Sequence, residues 1–462
     1  MLTEMTAQLE SVMPTALTGS VVQTIGMTAA VAGFPAPVGA LVEIDRQTGR
    51  PVPAEVVGFR DRLTIVYPLG DLSGVRHGSR VRLVRTSRTV RVGPDLLGRV
   101  IDARGTCLDG SAQPSLPERV PMQRTAPPAV ERPTINRPLS TGIRAMDGLL
   151  TCGEGQRVGI FSGSGVGKSV LLGMMARHSS ADVNVIALVG ERGREVNEFL
   201  ERDLGPQGLA RSVVVVATSD RPALERVQSA MTATAVAEYF RDQGKNVLLL
   251  MDSVTRFATA QREIGLAAGE PPTTRGYPPS VFALLPKLVE RAGRSAHGSI
   301  TAFYSVLVEG DDANEPVSDT VRGLLDGHVV LSRRLASIGQ YPAVDVLESI
   351  SRLVQDLVSA EQLQAIAVLR ELMGAYREHE DVISIGAYRQ GSNPKVDVAI
   401  AMRDAISAYL KQGIGETCDV ESARSQLMTL FQTAVAATQH GAAQSSSPGK
   451  NPADSPGQLL RR

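Results

Sequence analysis

Length, composition and charge exclude several classes of protein. A chain of 462 residues is too long for one hydrophobic core and predicts two to four domains. Its 48 basic and 48 acidic residues cancel, so nucleic acid or an anionic membrane would have to bind a local patch. Three cysteines without a close pair argue against a disulfide framework or a zinc site and favour a reducing cytoplasm. No apolar run approaches a bilayer span, so we expect a soluble or at most peripheral protein.

After an N-terminal segment, residues 1–18, we predict a small β-barrel over residues 19–92. Short β-rich pieces follow one another there at even spacing, separated by Gly, Pro and Asp. This pattern is typical of a small barrel. The pieces are residues 20–24, 40–44, 54–59, 63–67 and 80–84.

Residues 93–352 are predicted to form a doubly wound α/β nucleotide-binding core. A Pro-rich stretch near its start, residues 111–138, is expected to be an extended connector. Near-continuous apolar runs then alternate with helical stretches, as parallel strands covered on both faces do. The predicted strands are residues 157–161, 183–189, 212–217, 246–251 and 299–304.

The remainder of the chain is predicted to be helical and then disordered. Residues 353–434 have the apolar periodicity of helices, for example at Leu363, Ile366 and Leu369, which indicates a C-terminal helical domain. Residues 435–462 are rich in Ser, Pro and Gly, a composition that predicts a disordered tail. We find no internal repeat.

The most informative motif is the sequence FSGSGVGKS at residues 161–169, between a strand-like and a helix-like segment. Its glycines let backbone N–H groups turn towards phosphates, Lys168 supplies a cation for the β- and γ-phosphates, and the Ser169 hydroxyl can ligate Mg²⁺. The motif predicts binding of a nucleoside triphosphate with Mg²⁺, although the strict pattern asks for Gly where Ser162 stands. The predicted nucleotide contacts in the loop are Gly163, Ser164, Gly165, Val166, Gly167, Lys168 and Ser169.

Two acidic residues follow other predicted strands of the core. Asp252 comes directly after the run 246–251, where an acid can hold Mg²⁺ or its water beside the phosphate loop. Glu191 and Arg192 follow the run 183–189, at the edge where ligands bind in open α/β sheets. Glu191 can polarise the attacking water, and a guanidinium can offset charge on the phosphate oxygens. From spacing alone, a helix-capping Asp and a surface Glu–Arg ion pair stay open as structural alternatives.

Two sets of separated motifs carry a family resemblance. GERGRE at residues 190–195, DSVTRF at 252–257, RGYPPSVF at 275–282 and YPAVDVLESISR at 341–352 together resemble the rotary ATP synthase α/β-subunit superfamily. Within it, the ATPase of type III protein export, flagellar or injectisome, is most similar in four further motifs. These are TGIRAMDGLLTCGEGQR at residues 141–157, EYFRDQGK at 238–245, VEGDD at 308–312 and IGAY at 385–388. The resemblance extends from about residue 19 to about residue 412 and implies a Mg²⁺-dependent ATP hydrolase with a RecA-like core.

The resemblance also implies roles for single residues around the phosphates. Lys168 and Ser169 would bind phosphate and Mg²⁺, and Glu191 would be the catalytic carboxylate. Arg192 and Arg256 would neutralise charge near the γ-phosphate.

Two residues of the last motif have implied roles elsewhere on the nucleotide. Tyr341 would flank the adenine, although such a tyrosine is often only part of the packing. Arg352 would be an arginine finger that reaches the nucleotide of a neighbouring subunit. An ion pair of Arg352 with Asp345 or Glu348 is the structural alternative. Since one chain carries both Glu191 and Arg352, a ring of identical subunits can complete every site, which predicts a homohexamer.

The implied function is protein export. We expect the ring to engage export substrates or chaperones at the export gate, with stalk and stator-like proteins of the apparatus as partners. It would be cytoplasmic and peripheral at the inner face of the cytoplasmic membrane. The motifs lean towards flagellar export and leave injectisome export open. A rotary ATP synthase subunit and a hexameric RNA helicase share this core, but the arginines of residues 76–91 lack interleaved aromatics, so we predict no nucleic-acid partner. Asn393, where the family commonly has Asp, lies away from the chemistry.

Overall fold

In the computed structural model, which describes residues 17–308 and 315–445, the first domain is a closed barrel of antiparallel strands. The strands are β1 (Thr18–Ile25), β2 (Thr28–Ala32), β3 (Leu41–Ile44), β4 (Val52–Arg60), β5 (Leu63–Pro68) and β6 (Arg80–Arg85). They close in the order β1-β2-β5-β4-β3-β6 around small aliphatic side chains such as Val31, Val42 and Val66. The predicted barrel is confirmed. The sequence pattern missed β2, because its three alanines have a low strand propensity.

Two short antiparallel ladders are separate from both the barrel and the central sheet. One pairs β7 (Thr89–Val92) with β9 (Glu118–Pro121), and the other pairs β10 (Pro138–Leu139) with β11 (Cys152–Gly153). Within the predicted connector, residues 111–138, the only other regular element is a 3-10 turn at Ala129–Glu131. Its prolines cannot donate the backbone hydrogen bonds that longer elements need.

The core of the molecule is a mostly parallel sheet of nine strands. They are β8 (Arg99–Ile101), β12 (Arg157–Ser162), β13 (Val183–Val189), β14 (Ser212–Ala217), β15 (Asn246–Asp252), β16 (Gly293–Arg294), β17 (Ser299–Leu307), β18 (Gly327–Leu331) and β19 (Val344–Ser351). The parallel strands lie in the order β18-β12-β17-β15-β13-β14-β8, β19 is an antiparallel edge beside β18, and β16 pairs with β17. All five strands predicted for the core are present, and the predicted fold class is confirmed.

Helices cover both faces of the sheet, as its continuous apolar strands predict. Along β13, Val185 and Ala187 pack into one hydrophobic cluster, whereas Ile186 and Leu188 pack into another on the opposite face. The first face carries α5 (Ala223–Asp242), α6 (Val254–Ala268), α7 (Pro279–Val289) and α8 (Pro316–Leu324). The second face carries α1 (Arg144–Leu149), α2 (Lys168–His178) and the C-terminal helices α11 (Ala360–Ser384), α12 (Pro394–Leu410) and α13 (Val420–Ser445).

Short helical elements complete the structure. They are α3 (Gly193–Glu198), α4 (Gly205–Ala210), α9 (Arg333–Ser337), α10 (Val354–Leu357), a π-helical turn (Phe199–Leu204) and 3-10 turns at Pro94–Leu96 and Thr274–Gly276. In the helical domain, the Asn393 side chain caps α12 by accepting a hydrogen bond from the backbone of Lys395. Within the described part of the chain, no helix is long and apolar enough to cross a membrane.

The structure differs from the prediction at the end of the chain. Residues 435–462 were expected to be disordered, but α13 continues to Ser445, so residues 435–445 are helical. The reason is local composition: this stretch is rich in alanine and glutamine, which favour helix, and the Ser/Pro/Gly-rich composition begins only after it. The rest of the predicted tail lies outside the described residues, as does most of the VEGDD motif.

Candidate active site

The phosphate loop connects the end of β12 to the start of α2. Gly165 and Gly167 have φ angles of 78° and 88°, a left-handed conformation that favours glycine. The N-terminus of the eleven-residue helix α2 directs backbone N–H groups and the positive end of its dipole towards the loop. A cavity of about 610 Å³ adjoins the loop and is lined by six of the seven predicted contacts: Gly163, Ser164, Gly165, Gly167, Lys168 and Ser169.

Val166 is the exception among the predicted loop contacts. Its side chain is 2% exposed and packs in the hydrophobic core, so it does not line the cavity. Close packing of this apolar side chain in the core holds the phosphate loop in place. Val166 can therefore contact a nucleotide only through its backbone, and its role as a nucleotide contact stays a prediction.

Lys168 is held by the carboxylate that ends β15. Its Nζ lies 2.5 Å from Oδ1 of Asp252, and Ser305 donates a 2.8 Å hydrogen bond to the same oxygen. Asp252 is only 4% exposed, and Lys168 neutralises its charge inside the protein. Ser305 was missed from the sequence, because only the pairing of β15 with β17 brings it beside Asp252.

Oxygen ligands that suit Mg²⁺ lie beside the phosphate loop. Asp252 offers carboxylate oxygens and the exposed Ser169 offers a hydroxyl. Mg²⁺ at nucleotide sites takes one or two carboxylates and completes its shell with phosphate oxygens and water. No group of three or more acidic, histidine or cysteine side chains that could hold a metal occurs within residues 17–308 and 315–445. The donor set therefore fits a Mg²⁺ ion that binds together with a nucleotide.

Glu191, Arg192 and Arg256 line the same cavity. Arg256 Nε lies 3.1 Å from Oε1 of Glu191, and its Nη1 donates a 2.8 Å hydrogen bond to the carbonyl of Gly190. Arg192 is more peripheral, since its side chain is 76% exposed and its nearest acid, Glu195, lies at 3.7 Å. The structure thus brings the predicted acid and both predicted arginines to the phosphate loop.

The surroundings of Glu191 make it a weak acid. Burial, the negative charge of Asp252 and a hydrogen bond with Glu195 raise the pKa of Glu191 to about 7, against the opposing charges of Lys168 and Arg256. The same hydrogen bond lowers the pKa of Glu195. A carboxyl that titrates near neutrality can exchange a proton with water at physiological pH.

Tyr341 lies beside the phosphate loop. A Cβ atom on Gly167 would be 3.4 Å from Cε1 of the Tyr341 ring, so glycine leaves room for the aromatic edge. The ring is 48% exposed, and the tyrosine carbonyl accepts a 2.9 Å hydrogen bond from the backbone of Gln412, in the helical domain. An exposed aromatic face at this position can stack on a base.

Arg352 does not reach this cavity. It follows β19, whose last residue, Ser351, pairs with Gly327 at the start of β18. The phosphate loop leaves β12 at Ser162, which pairs with Leu331 at the end of β18. The length of β18 therefore separates the two ends, roughly 16 Å for five residues. Asp345 and Glu348, the alternative partners of Arg352, pair with Arg377 instead.

A further arginine at the loop was missed by the sequence analysis. Arg333 is the first residue of α9 and lines the cavity. It follows β18, and the parallel pairing of β18 with β12 brings it to the level of the phosphate loop. No local motif marks it, because strand order in the sheet is not visible in the sequence.

Comparisons with known proteins agree with this site and fold. The profile of the ATP synthase alpha/beta family, nucleotide-binding domain, matches residues 142–351, and that of the T3SS EscN ATPase C-terminal domain matches residues 358–429. The "Flagellum-specific ATP synthase" of Bacillus subtilis (strain 168) is 52% identical over 414 residues, which cover 89% of this chain and 94% of that protein. The "Type 3 secretion system ATPase" of Xanthomonas euvesicatoria is 52% identical over 395 residues, with coverages of 85% and 89%.

The chain belongs to the type III protein export ATPases. It is accordingly an ATPase of type III secretion and flagellar export. The fold of this chain is also similar to those of solved export ATPases. The assembled ATPase EscN from the enteropathogenic E. coli type III secretion system superposes with a TM-score of 0.85 at 45% identity, covering 89% of this chain and all of that one. EscN in complex with its central stalk EscO gives 0.83 at 44% identity, with the same coverages.

Proposed function

We propose that this export ATPase hydrolyses Mg²⁺-bound ATP at sites shared between neighbouring copies of the chain in a homohexameric ring. The ring would energise protein export, flagellar in the first place, by engaging substrates or chaperones and releasing or unfolding them at the export gate. The observation that carries the shared site is the position of Arg352, at the edge of the sheet opposite its own chain's cavity.

The proposed chemistry divides the roles among the residues of the cavity. Lys168 and the loop N–H groups would hold the β- and γ-phosphates, and Mg²⁺ on Ser169 and Asp252 would offset their charge. Glu191 would orient the attacking water and accept its proton, which its pKa near 7 supports. Arg256 would offset charge near the γ-phosphate once nucleotide competes for its ion pair.

The proposed site is completed by a cation from another subunit, Arg352. Arg352 is exposed, and within the described residues its side chain forms no ion pair, so it is available to a neighbour. A repeated head-to-tail contact of identical chains closes into a ring when the rotation between neighbours divides a full turn, and every chain then gives one arginine and receives another. EscN, which this chain resembles over its length, has been solved as an assembled ATPase.

Partners follow from the same likeness. EscN is known in complex with its central stalk EscO, which supports a stalk partner for this ring. Stator-like proteins, export substrates and chaperones, together with a cytoplasmic, peripheral position at the inner membrane face, complete the proposal. Flagellar and injectisome relatives are equally similar, so injectisome export is the second candidate function. Export relatives match nearly the whole chain, which favours export over a synthase subunit or an RNA helicase.

Subunit mixing tests the shared site. Glu191→Gln removes the proposed base from a chain's own cavity, and Arg352→Ala removes the cation that the chain gives to its neighbour. Each variant alone should form inactive rings. When the two are mixed as dilute subunits and then concentrated, an interface that joins an intact Glu191 to an intact Arg352 should hydrolyse ATP, so random mixing should restore about a quarter of the parental rate.

The matched control mixes Glu191→Gln with the double variant Glu191→Gln/Arg352→Ala, which offers no complete interface and should stay inactive. Light scattering confirms that rings form in both mixtures. Mixed rings that form but recover no activity would contradict the shared site, as would full activity in pure Arg352→Ala rings.

A further inference from the structure

Among the described residues, one positive charge at the phosphate loop has no counter-charge. Arg333 Nη2 would be 2.6 Å from a Cβ atom placed on Gly163, so its guanidinium rests against the backbone of that glycine, where any side chain would collide with it. Arg333 and the loop line the same cavity. The contact shows that the guanidinium reaches the part of the cavity where the loop begins.

The other cations of the cavity are already paired within the chain. Lys168 is paired with Asp252, Arg256 with Glu191 and Arg192 with Glu195. Among the described residues, the side chain of Arg333 has neither an acidic partner nor a hydrogen-bond acceptor. A guanidinium has five N–H donors and stays charged at all physiological pH values, so Arg333 retains its full capacity to bind an anion.

The fold holds this guanidinium in position. Ser332 caps α9 by accepting a hydrogen bond from the backbone of Leu335, and Arg333 is the first residue after that cap. Leu331, the residue before Ser332, is 4% exposed and pairs with Ser162 at the start of the loop. Arg333 therefore stands at the start of a capped helix that directly follows a strand, at the same level of the sheet as the phosphate loop.

We propose that Arg333 is a further phosphate-binding residue of this ATPase, which binds the terminal phosphoryl group of ATP through its guanidinium. The inference rests on the proposed ATP hydrolysis at this cavity and adds to it a residue that none of the sequence motifs contains. Arginine and phosphate form charge-assisted, often two-pronged hydrogen bonds, and no acid of the described residues has to be displaced from Arg333 first. Its contribution should be specific for the triphosphate, because ADP lacks the group that it binds.

The test compares ATP-analogue and ADP affinity in the full-length protein. Titration of fluorescent ADP and of a fluorescent non-hydrolysable ATP analogue, both with Mg²⁺, gives the ratio of the two dissociation constants. Arg333→Ala should weaken analogue affinity about tenfold and leave ADP affinity within about twofold, as expected for the loss of one charge-assisted hydrogen bond. Arg333→Lys, which keeps the charge without the fork, should lie in between.

The adjacent residue provides the matched control. Arg334 is in the same helix but points to Glu380 of α11, so Arg334→Ala should leave the affinity ratio unchanged. Equal loss of analogue and ADP affinity in Arg333→Ala would assign Arg333 to support of the loop and overturn the inference, as would an unchanged ratio. If the parent protein binds neither nucleotide, the proposed function fails as well, and the two failures are thereby distinguished.

A second measurement needs no variant and covers the case in which Arg333→Ala does not fold. Phenylglyoxal modifies accessible arginines, and peptide mass spectrometry reports the yield at each site. The ATP analogue should protect Arg333 several-fold more than ADP does, with no effect of either nucleotide on Arg334. Equal modification of Arg333 with and without the analogue would contradict phosphate binding by this residue.

Discussion

The two edges of the central sheet differ in how their charged side chains are paired. At the carboxyl edge, where β12 ends, lie the phosphate loop, the weak acid Glu191 and Arg333, which has no acidic partner in the part of the chain that the structure describes. At the amino edge, where β12 begins, Arg157 forms a two-pronged ion pair with Asp326 at 3.1 Å and a second ion pair with Glu290 at 2.5 Å. Arg157, Asp326 and Glu290 neutralise one another at the amino edge, whereas the carboxyl edge keeps groups that a ligand can still bind.

The pKa shifts at the two edges reflect this contrast. Burial alone would lower the pKa of Arg157, but its hydrogen bonds and the charges of Asp326 and Glu290 raise it above its usual value. For Glu191, burial is the largest effect and the nearby arginine and lysine do not compensate it. A cation that is fully paired supports the fold, and a carboxyl that is incompletely paired is available for chemistry.

Arg352 is the exception at the amino edge, and its removal should have the largest effect. It is exposed and lacks an acidic partner among the described residues, although it stands beside the paired cluster. If it acts on the neighbouring cavity, Arg352→Ala should lower kcat of concentrated protein by about 10³ and hardly change the nucleotide affinity of dilute subunits. Steady-state hydrolysis as a function of protein concentration, with Arg334→Ala as a control, measures this. If Arg352→Ala keeps the parental kcat, Arg352 has a structural role only, like Arg157.

The second prediction addresses the carboxyl edge directly. Glu191→Gln keeps the shape and the hydrogen bonds of the protonated acid but cannot accept a proton from water. We expect kcat to fall at least about 10²-fold, with ATP affinity close to that of the parent. Single-turnover hydrolysis and nucleotide titration separate the two quantities. A variant that turns over near the parental rate would exclude Glu191 as the acid that orients water.

The third prediction addresses the paired cluster at the amino edge. Arg157→Ala leaves Asp326 without its cation, whereas Glu290 keeps its ion pair with Arg132. Losing these charge-assisted hydrogen bonds should lower the free energy of unfolding by about 2 kcal/mol. Urea unfolding measures this, with Arg82→Ala, which breaks exposed ion pairs with Glu43 and Asp45, as a control that should cost about 1 kcal/mol or less. Equal losses in the two variants would contradict the contrast between the sheet edges.

The smallest effect concerns pH. Because Glu191 must be ionised to accept a proton, kcat/KM should fall about tenfold per pH unit below about 7, and Glu191→Gln should lack this slope in its residual rate. The stability effect has the opposite sign. A carboxyl with a raised pKa contributes stability below its usual pKa and loses that contribution as pH rises through 7, so Glu191→Gln should gain stability relative to the parent above pH 7. A pH-independent difference in unfolding free energy would contradict the raised pKa.

The sequence revealed local features of the fold well. The apolar runs that became β12, β13, β14, β15 and β17 are continuous because both faces of the sheet are covered, and such runs are visible without knowledge of strand order. The exceptions were weak local signals. Alanine-rich β2 does not have the composition of a strand, and the helical continuation of α13 past residue 435 was obscured by the Ser/Pro/Gly-rich segment behind it.

What the sequence by itself determined is the phosphate loop, the two acids at strand ends and the family to which they belong, because each depends on neighbours along the chain. What only the tertiary structure decided is which groups from distant segments meet. The strand order β18-β12-β17-β15 places Arg333 and Ser305 at the loop and leaves Arg352 at the other edge. Parallel strands bring together residues that lie far apart in sequence, and their order follows from packing both faces of one sheet, a property of the whole chain rather than of any motif.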